Sequence, residues 1–563
     1  MNFNIKYIPF STFGSYMSIS YLVGNEDLPE GIYLRNIRGG DDENGAVFKL
    51  DMLQNGGIVP FETILAPDCL TLKTNSGQVQ LIFPESSCLR VFGENAGLRL
   101  TLVTNEYDNA FKKERGQLQV NVFSKKVKFM LRQIQGDLNT DAPWKVNGCT
   151  RVVADFTPDV DRKQLDATIE EFETVYSPHD FTESFQLARQ QALGKFEEWH
   201  ANTLDVPKIY EASKRLAAYI TWSSVVKKEG FLTRPAMYMS KNWMTNIWSW
   251  DHCFNAMALA KNNPEFAWDQ YMIFFDVQDR SGMLPDYMND KFAYWNCTKP
   301  PIHGWTLSWM LDKICLPEEK LREIYSPLSK WTEWYFEHRL SSNGFPEYHH
   351  GNDSGWDNST LFHEGIPVET PDLSAFLILQ MQTLADIARK LGLQQEELMW
   401  EKKANDLLRN MIDYFWDGEK FLAKHCGNAV DCGDSLQLSL PLILGESLPE
   451  NIRQKLIDGL KDTDRFLTEH GLATESITSP YYEEDGYWRG PIWAPVMLLF
   501  IDRLNAVGEF EFAEDLAKKF CNMAADNGMA ENFNAITGKG LRDRAFTWTS
   551  SVFLILANEY VNR

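Results

Sequence analysis

Two short stretches, far apart in the chain, hold carboxylates in settings that suit acid–base chemistry. Gly351–Ser359 reads Gly-Asn-Asp-Ser-Gly-Trp-Asp-Asn-Ser, a loop that packs Asp353, Asp357, the small Gly355 and an exposed-type tryptophan, Trp356, into nine positions. One helix start uses one capping carboxylate, and the next apolar-periodic helix is expected only near Pro371-Asp372, so at least one of the two aspartates has another task. Met529–Gly538 sets Glu531 among amides and an aromatic ring. Hydrolysis of a glycosidic bond needs one carboxylic acid to protonate the leaving oxygen and a second carboxylate to attack or to activate water; when water attacks directly the two stand roughly 6.5–9.5 Å apart. Asp357 and Glu531 have the right types for a pair facing each other across a sugar pocket. The acid must hold its proton near neutral pH, for which Trp356 could desolvate Asp357 and neighbouring carboxylates add repulsion. Glu531, flanked by Asn532 and Asn534, is expected to stay ionised as the base.

Other loops add candidate substrate contacts. Met244–Asn255 places Trp250 and Asp251 at a helix start, where Asp251 is either a pocket residue or a favourable first-turn charge. Tyr487-Trp488-Arg489-Gly-Pro-Ile-Trp493 puts a cation between two tryptophans, able to hold sugar hydroxyls or orient a carboxylate; a structural arginine stacked on tryptophan is the rival. Of the 18 tryptophans, Trp243, Trp248, Trp250, Trp295, Trp305, Trp356, Trp488 and Trp493 lie beside Gly, Asn or Asp. Such clustering favours a surface that stacks on sugar faces over plain core filling.

The elements that must position these residues change character along the chain. Residues 1–158 alternate in short β-branched and aromatic runs separated by Gly, Asn, Asp and Pro, which predicts an antiparallel β-sandwich. Residues 159–207 read as a linker ending in an amphipathic helix, Phe185–His200. From 208 to 563 the period is 3.6, with twelve candidate helices, the number that an (α/α)6 toroid requires. The acidic turn Gly39–Glu43 lacks a calcium-loop pattern and reads as solvated.

Composition narrows the function further. A net charge of −23, without a concentrated Lys/Arg stripe, disfavours nucleic acid and anionic membranes as partners. Nine scattered cysteines indicate neither a disulfide framework nor a zinc site, no apolar run is long enough to span a membrane, and no leader is visible, so a cytoplasmic location is expected. No cofactor or metal is called for. Adjacent His349-His350 point different ways from an extended chain, which weighs against a histidine-based epimerase or metal site. A glycoside phosphorylase, which would not need Glu531, and a sugar-binding protein without activity remain as alternatives.

Taken in order, Trp248-Ser-Trp-Asp-His252, Ser354-Gly-Trp-Asp-Asn358, Tyr487–Trp493 and Glu531–Gly538 resemble the inverting α-glycosidases of glycoside hydrolase family 63, with the trehalases of family 37 as relatives. The likeness runs from about Asn242 to Trp548. It implies an (α/α)6 barrel, often preceded by a β-sandwich, with Asp357 as general acid and Glu531 as general base. It also implies that Trp250, Asp251, Gly355, Trp356, Tyr487, Trp488 and Arg489 line the sugar pocket. The substrate class implied is an α-glucoside or α-mannoside in a small oligosaccharide or glycoside. The aglycone and the oligomeric state are not legible.

Overall fold

The computed structural model describes residues 2–26, 28–41 and 44–561. The chain divides into two compact units, one of residues 1–202, 218–227 and 240–245, the other of residues 203–217, 228–239 and 246–563. In the acidic turn at 39–43, Asp42 and Glu43 lie outside the described residues.

The first unit is built on two large antiparallel sheets. One has the strand order Met17–Leu22, Gly31–Asn36, Ala46–Gln54, Gly97–Leu102, Val153–Thr157, Asp137–Asp141, with Gly57–Val59 paired onto Ala46–Gln54. The other runs Asn109–Lys112, Gln117–Val122, Val127–Gln135, Gln164–Phe172, Cys88–Glu94, Gln78–Glu85, Cys69–Lys73, Glu62–Ala66. The rings of Phe48 and Phe129 meet edge to face at 5.4 Å, one from each sheet, so the apolar alternation of both sheets feeds one core. Helix Phe185–Ala201, capped by Ser184, packs Phe185 and Ala188 onto Cys69 and Ile82.

One expectation is corrected here. The supposed linker 159–207 contains Gln164–Phe172, a buried strand at the centre of the second sheet. Its acidic residues disguised it: Asp166 is held by both guanidinium arms of Arg90 at 3.0 and 2.7 Å, Glu170 by Thr168, Arg132 and His179, and Glu171 by Arg38. Pairing lets these polar groups be buried.

In the second unit the predicted helices are found, among the described residues, as eleven α-helices and one 3-10 segment, counting Glu211–Ser223, which falls partly in each unit. Asp251–Leu259 packs on His303–Lys313, that helix on Pro371–Lys390, then follow the 3-10 segment Leu436–Ser447, Ala494–Ala506 and Thr547–Glu559, which returns to Asp251–Leu259. These six elements make a closed cycle. Pro264–Met272, Glu318–His338, Gln394–Phe415, Glu450–Leu460 and Phe510–Asn527 pack onto members of it. Gly304 shows why one contact is so close: a Cβ there would lie 2.4 Å from Gln380 Cα, and Gln380 accepts from the Gly304 N–H while donating to Thr332. The helix expected over Tyr487–Val507 starts only at Ala494, because Gly490 at φ +143° and Pro491 interrupt it. Pro441 and Gly445 likewise leave Leu436–Ser447 as a 3-10 segment. No helix among the described residues is long and apolar enough to cross a membrane.

Candidate active site

All nine predicted site residues lie in the second unit, on loops or at a loop–helix junction. The acid loop is anchored first. Gly351–Ser354 forms one 3-10 turn whose Asp353 is buried and accepts from Thr298 N at 2.8 Å, Arg339 Nη1 at 2.8 Å and His349 N at 2.9 Å. Of the two aspartates, Asp353 is therefore the anchor of the loop. Gly355 ends the turn at φ +74°, where a Cβ would stand 2.6 Å from the Trp250 ring. Only glycine suits both demands.

A second segment, 484–493, braces the acid loop against the base loop. Asn358 accepts from Trp488 N and donates to Gly486 O, both at 2.9 Å. On the other side Ile492 and Phe533 exchange backbone hydrogen bonds of 2.7 and 3.0 Å, and Asn534 donates to Glu484 at 2.9 Å. Glu531 N–H donates to Asp543 O at 2.8 Å. Tyr487 and Arg542 both adopt left-handed φ, at +63° and +55°. Such strain in non-glycine residues persists only where the surroundings enforce it.

The electrostatics join the two loops. Burial raises the Asp357 carboxyl above its ordinary range; Lys299 opposes this, Asp286 adds to it, and His350 and a hydrogen bond from Tyr487 oppose it. Burial and the Asp543 carboxylate push Glu531 up to about 7, against Arg542, and Asp357 contributes repulsion. Asp357, Glu531 and Asp251 all raise Tyr487 further after burial, so three carboxylates surround its hydroxyl. The expectation that Glu531 stays fully ionised is corrected: the adjacent amides do not offset burial at 6% exposure. Asp251 opens helix Asp251–Leu259, yet it is more than a first-turn charge. It is buried, raised by burial, and its Oδ2 has no protein partner.

The tryptophans of these loops are not an exposed platform, although Trp243 and Trp295 are exposed. Trp356 is 1% exposed, and Trp250, Trp488, Trp493 and Trp548 are also buried. They pack on one another: Trp488 on Trp493 at 3.9 Å and 4°, Trp356 on Trp488 at 5.1 Å, and Trp250 on Trp488 at 6.1 Å. The direct stack of Trp488 and Trp493 leaves no room for Arg489 between them. Arg489 instead pairs with Glu483 at 2.9 Å, acts on His363, and keeps a buried Nε without an acceptor. The cation beside the base is Arg542, whose guanidinium lies 4.7 Å over the Tyr487 ring.

Sequence reasoning missed Lys299, Asp286, Asn352, Arg542 and Asp543. Of these, the charge of Arg542 close behind Glu531 was a usable signal. Among the described residues, Cys88, Glu170 and His179 of the first unit are close enough to hold a metal, but Arg132 already occupies that carboxylate. Burial pushes the imidazoles of His252 and His303 in the second unit down to about 3, so they stay neutral.

The arrangement brings two carboxyl groups on separate loops, half-buried Asp357 and buried Glu531, within each other's electrostatic reach. Asn532 Nδ2 and Trp548 Nε1 are, like Asp251 Oδ2, buried without protein partners. Such groups are the complement of sugar hydroxyls. The solved structures that the fold resembles include a bacterial glucoamylase complexed with acarbose, at 11% identity and TM-score 0.64, covering 99% of this chain and 94% of that one. They also include the mannosylglycerate hydrolase of Thermus thermophilus in complex with glucose, at 19% identity and TM-score 0.51, covering 60% and 98%. Among curated proteins, the mannosylglycerate hydrolase of Rubrobacter radiotolerans is 21% identical over 58% of this chain and 97% of its own length. A probable mannosyl-oligosaccharide glucosidase of Schizosaccharomyces pombe is 27% identical over 38% and 30%. Residues 244–549, which hold every loop described above, match the family described as the mannosylglycerate hydrolase MGH1-like glycoside hydrolase domain. The chain therefore belongs to that family, within glycoside hydrolase family 63, and is an O-glycosyl hydrolase.

Proposed function

We propose that the second unit is an (α/α)6 toroid that hydrolyses an α-glycosidic bond with inversion, Asp357 acting as general acid and Glu531 as general base. The closed cycle of six elements supports the toroid. The mechanism rests above all on one observation: two carboxylates, half-buried Asp357 and buried Glu531, on separate loops bridged by segment 484–493, each within the field of the residues that surround Tyr487. Asp357, whose carboxyl burial shifts towards the protonated form against Lys299, gives its proton to the leaving oxygen. Glu531, half deprotonated near pH 7, takes a proton from the water that attacks the anomeric carbon from the opposite face. Buried Asp251, Trp250, Trp356, Trp488 and Tyr487 hold the glycone and exclude bulk water.

The relatives include a mannosylglycerate hydrolase, a glucosylglycerate hydrolase and a probable mannosyl-oligosaccharide glucosidase, names that pair mannosyl or glucosyl groups with glycerate or an oligosaccharide. We read the substrate as an α-glucoside or α-mannoside with a small aglycone; Arg489, with its unoccupied Nε, is the cation available to a carboxylate-bearing aglycone. The test is proton NMR of the anomeric signals during cleavage of α-glucosides and α-mannosides. First release of the β-anomer, lost in Asp357→Asn and Glu531→Gln, is expected. First release of the α-anomer, or a requirement for inorganic phosphate, would overturn this reading in favour of retention or phosphorolysis.

A further inference from the structure

Lys299 is the buried cation nearest in effect to the acid, and it sits in a closed triangle of side chains. Its Nζ is 3.0 Å from Asp286 Oδ1 and donates to Asn352 Oδ1 at 2.7 Å and to Asn352 O at 2.8 Å, while Asn352 Nδ2 donates to Asp286 Oδ2 at 2.6 Å. Each member touches the other two. Asn352 belongs to the turn that delivers Asp357, and the preceding residue, Thr298, donates its N–H to Asp353 of the same turn. Residues 298 and 299 thus grip the acid loop at adjacent points, one through backbone and one through a charge. The ammonium is needed for its three donors and for the charge of buried Asp286, and the same charge reaches Asp357.

We propose that Lys299 is a positioning residue that tunes proton donation by Asp357, with Asp286 and Asn352 holding its ammonium in place. This rests on the assignment of Asp357 as the acid. The groups that face Asp357 are Lys299, Asp286, His350 and Tyr487, with Glu531 and Asp251 across the site. Within that set Lys299 is the buried cation, and its own raised affinity for its proton, caused by Asp286 and then Asp357 against burial, keeps it charged. Removing the charge leaves Asp357 a weaker acid that holds its proton to higher pH.

The experiment compares Lys299→Met and Lys299→Gln on two substrates with the same glycone: an alkyl α-glycoside, whose departure needs a proton, and the α-glycosyl fluoride, whose departure needs little help. Both variants are expected to lose about tenfold or more in kcat on the alkyl glycoside, to change less than about threefold on the fluoride, and to move the alkaline limb of the kcat profile upward by about one pH unit. Activity on the fluoride also reports that the variants fold. Gln, which keeps a hydrogen-bonding group, separates charge from contact: recovery of the alkyl rate and of the limb in Lys299→Gln would overturn the electrostatic role. Equal losses on both substrates with an unmoved limb would make Lys299 purely structural and overturn it too. Asp357→Asn, run alongside, should lose the alkyl substrate and keep the fluoride; if it cleaves both, Asp357 is not the acid and the role of Lys299 falls with that assignment.

Discussion

At the scale of the residue, Glu531 joins function to stability. In the unfolded chain its carboxyl titrates near 4.5, in the folded chain at about 7, because burial and Asp543 disfavour its charge. Below pH 4.5 both states hold the proton and nothing is lost. As pH rises from 4.5 to 7 only the folded state retains it, so folding stability declines, by an amount that approaches about 3 kcal/mol above pH 7. Glu531→Gln removes the charge and should melt at a higher temperature than the parent at pH 8 and at a similar temperature at pH 4.5, while kcat drops about 10²- to 10⁴-fold. A parent-like melting curve at both pH values would show that Glu531 is not held in the apolar setting described. The same carboxyl should place the acid limb of the kcat/KM profile near pH 7. Because Asp357 and Glu531 repel each other, the two limbs belong to the pair, and either substitution should displace the limb that remains. Gly355 offers a purely steric case: Gly355→Ala would press on the Trp250 ring and force alanine to φ +74°, at a cost of about 1–3 kcal/mol visible in thermal melts.

At the scale of the element, the site depends on loops that short side chains fasten to one another. Asn358 is the single fastening between the acid loop and the start of segment 484–493 that uses both ends of one amide. Asn358→Ala removes two hydrogen bonds and should lower stability by about 1–3 kcal/mol, with a larger relative fall in kcat than in KM, because Trp488 and Tyr487 would lose their alignment with Asp357. An unchanged kcat with a raised KM would instead assign Asn358 to ground-state binding. How much of this was legible follows from the same contacts. The catalytic candidates stood out because carboxylates set among glycine, amide and tryptophan are unusual outside helix starts, and the period change near residue 208 marked where strands give way to helices. Hidden were the groups whose meaning comes from distant partners. Gln164–Phe172 reads as polar until Arg90, Arg132 and Arg38 are beside it, and Lys299 reads as an ordinary surface lysine until Asp286 and Asn352 close around it. The stacking of Trp488 directly on Trp493, which displaced Arg489 from its expected place, also needed the loop conformation, since Tyr487 at positive φ sets the direction of the rings.

At the scale of the whole molecule, charge decides how substrate arrives. The chain carries 78 Asp and Glu against 55 Lys and Arg. Around the site the six carboxyl groups Asp251, Asp286, Asp353, Asp357, Glu531 and Asp543 outnumber the four cations described there, Lys299, Arg339, Arg489 and Arg542. A neutral glycoside feels little of this field, whereas a glycoside with a carboxylate on its aglycone must approach against it, over a range set by a screening length of about 10 Å at 0.1 M salt. For a pair of substrates that differ only in carrying glycerate or glycerol as aglycone, kcat/KM for the glycerate should therefore rise several-fold between about 20 and 500 mM salt, while that for the glycerol glycoside stays flat. If Arg489 captures the carboxylate, the gain is confined to encounter, and kcat for the glycerate should not change with salt. A glycerate rate that falls as salt is added would show that a local cationic path to the pocket outweighs the net charge, and would move the search for the aglycone site from Arg489 to the lysines and arginines of the surrounding loops.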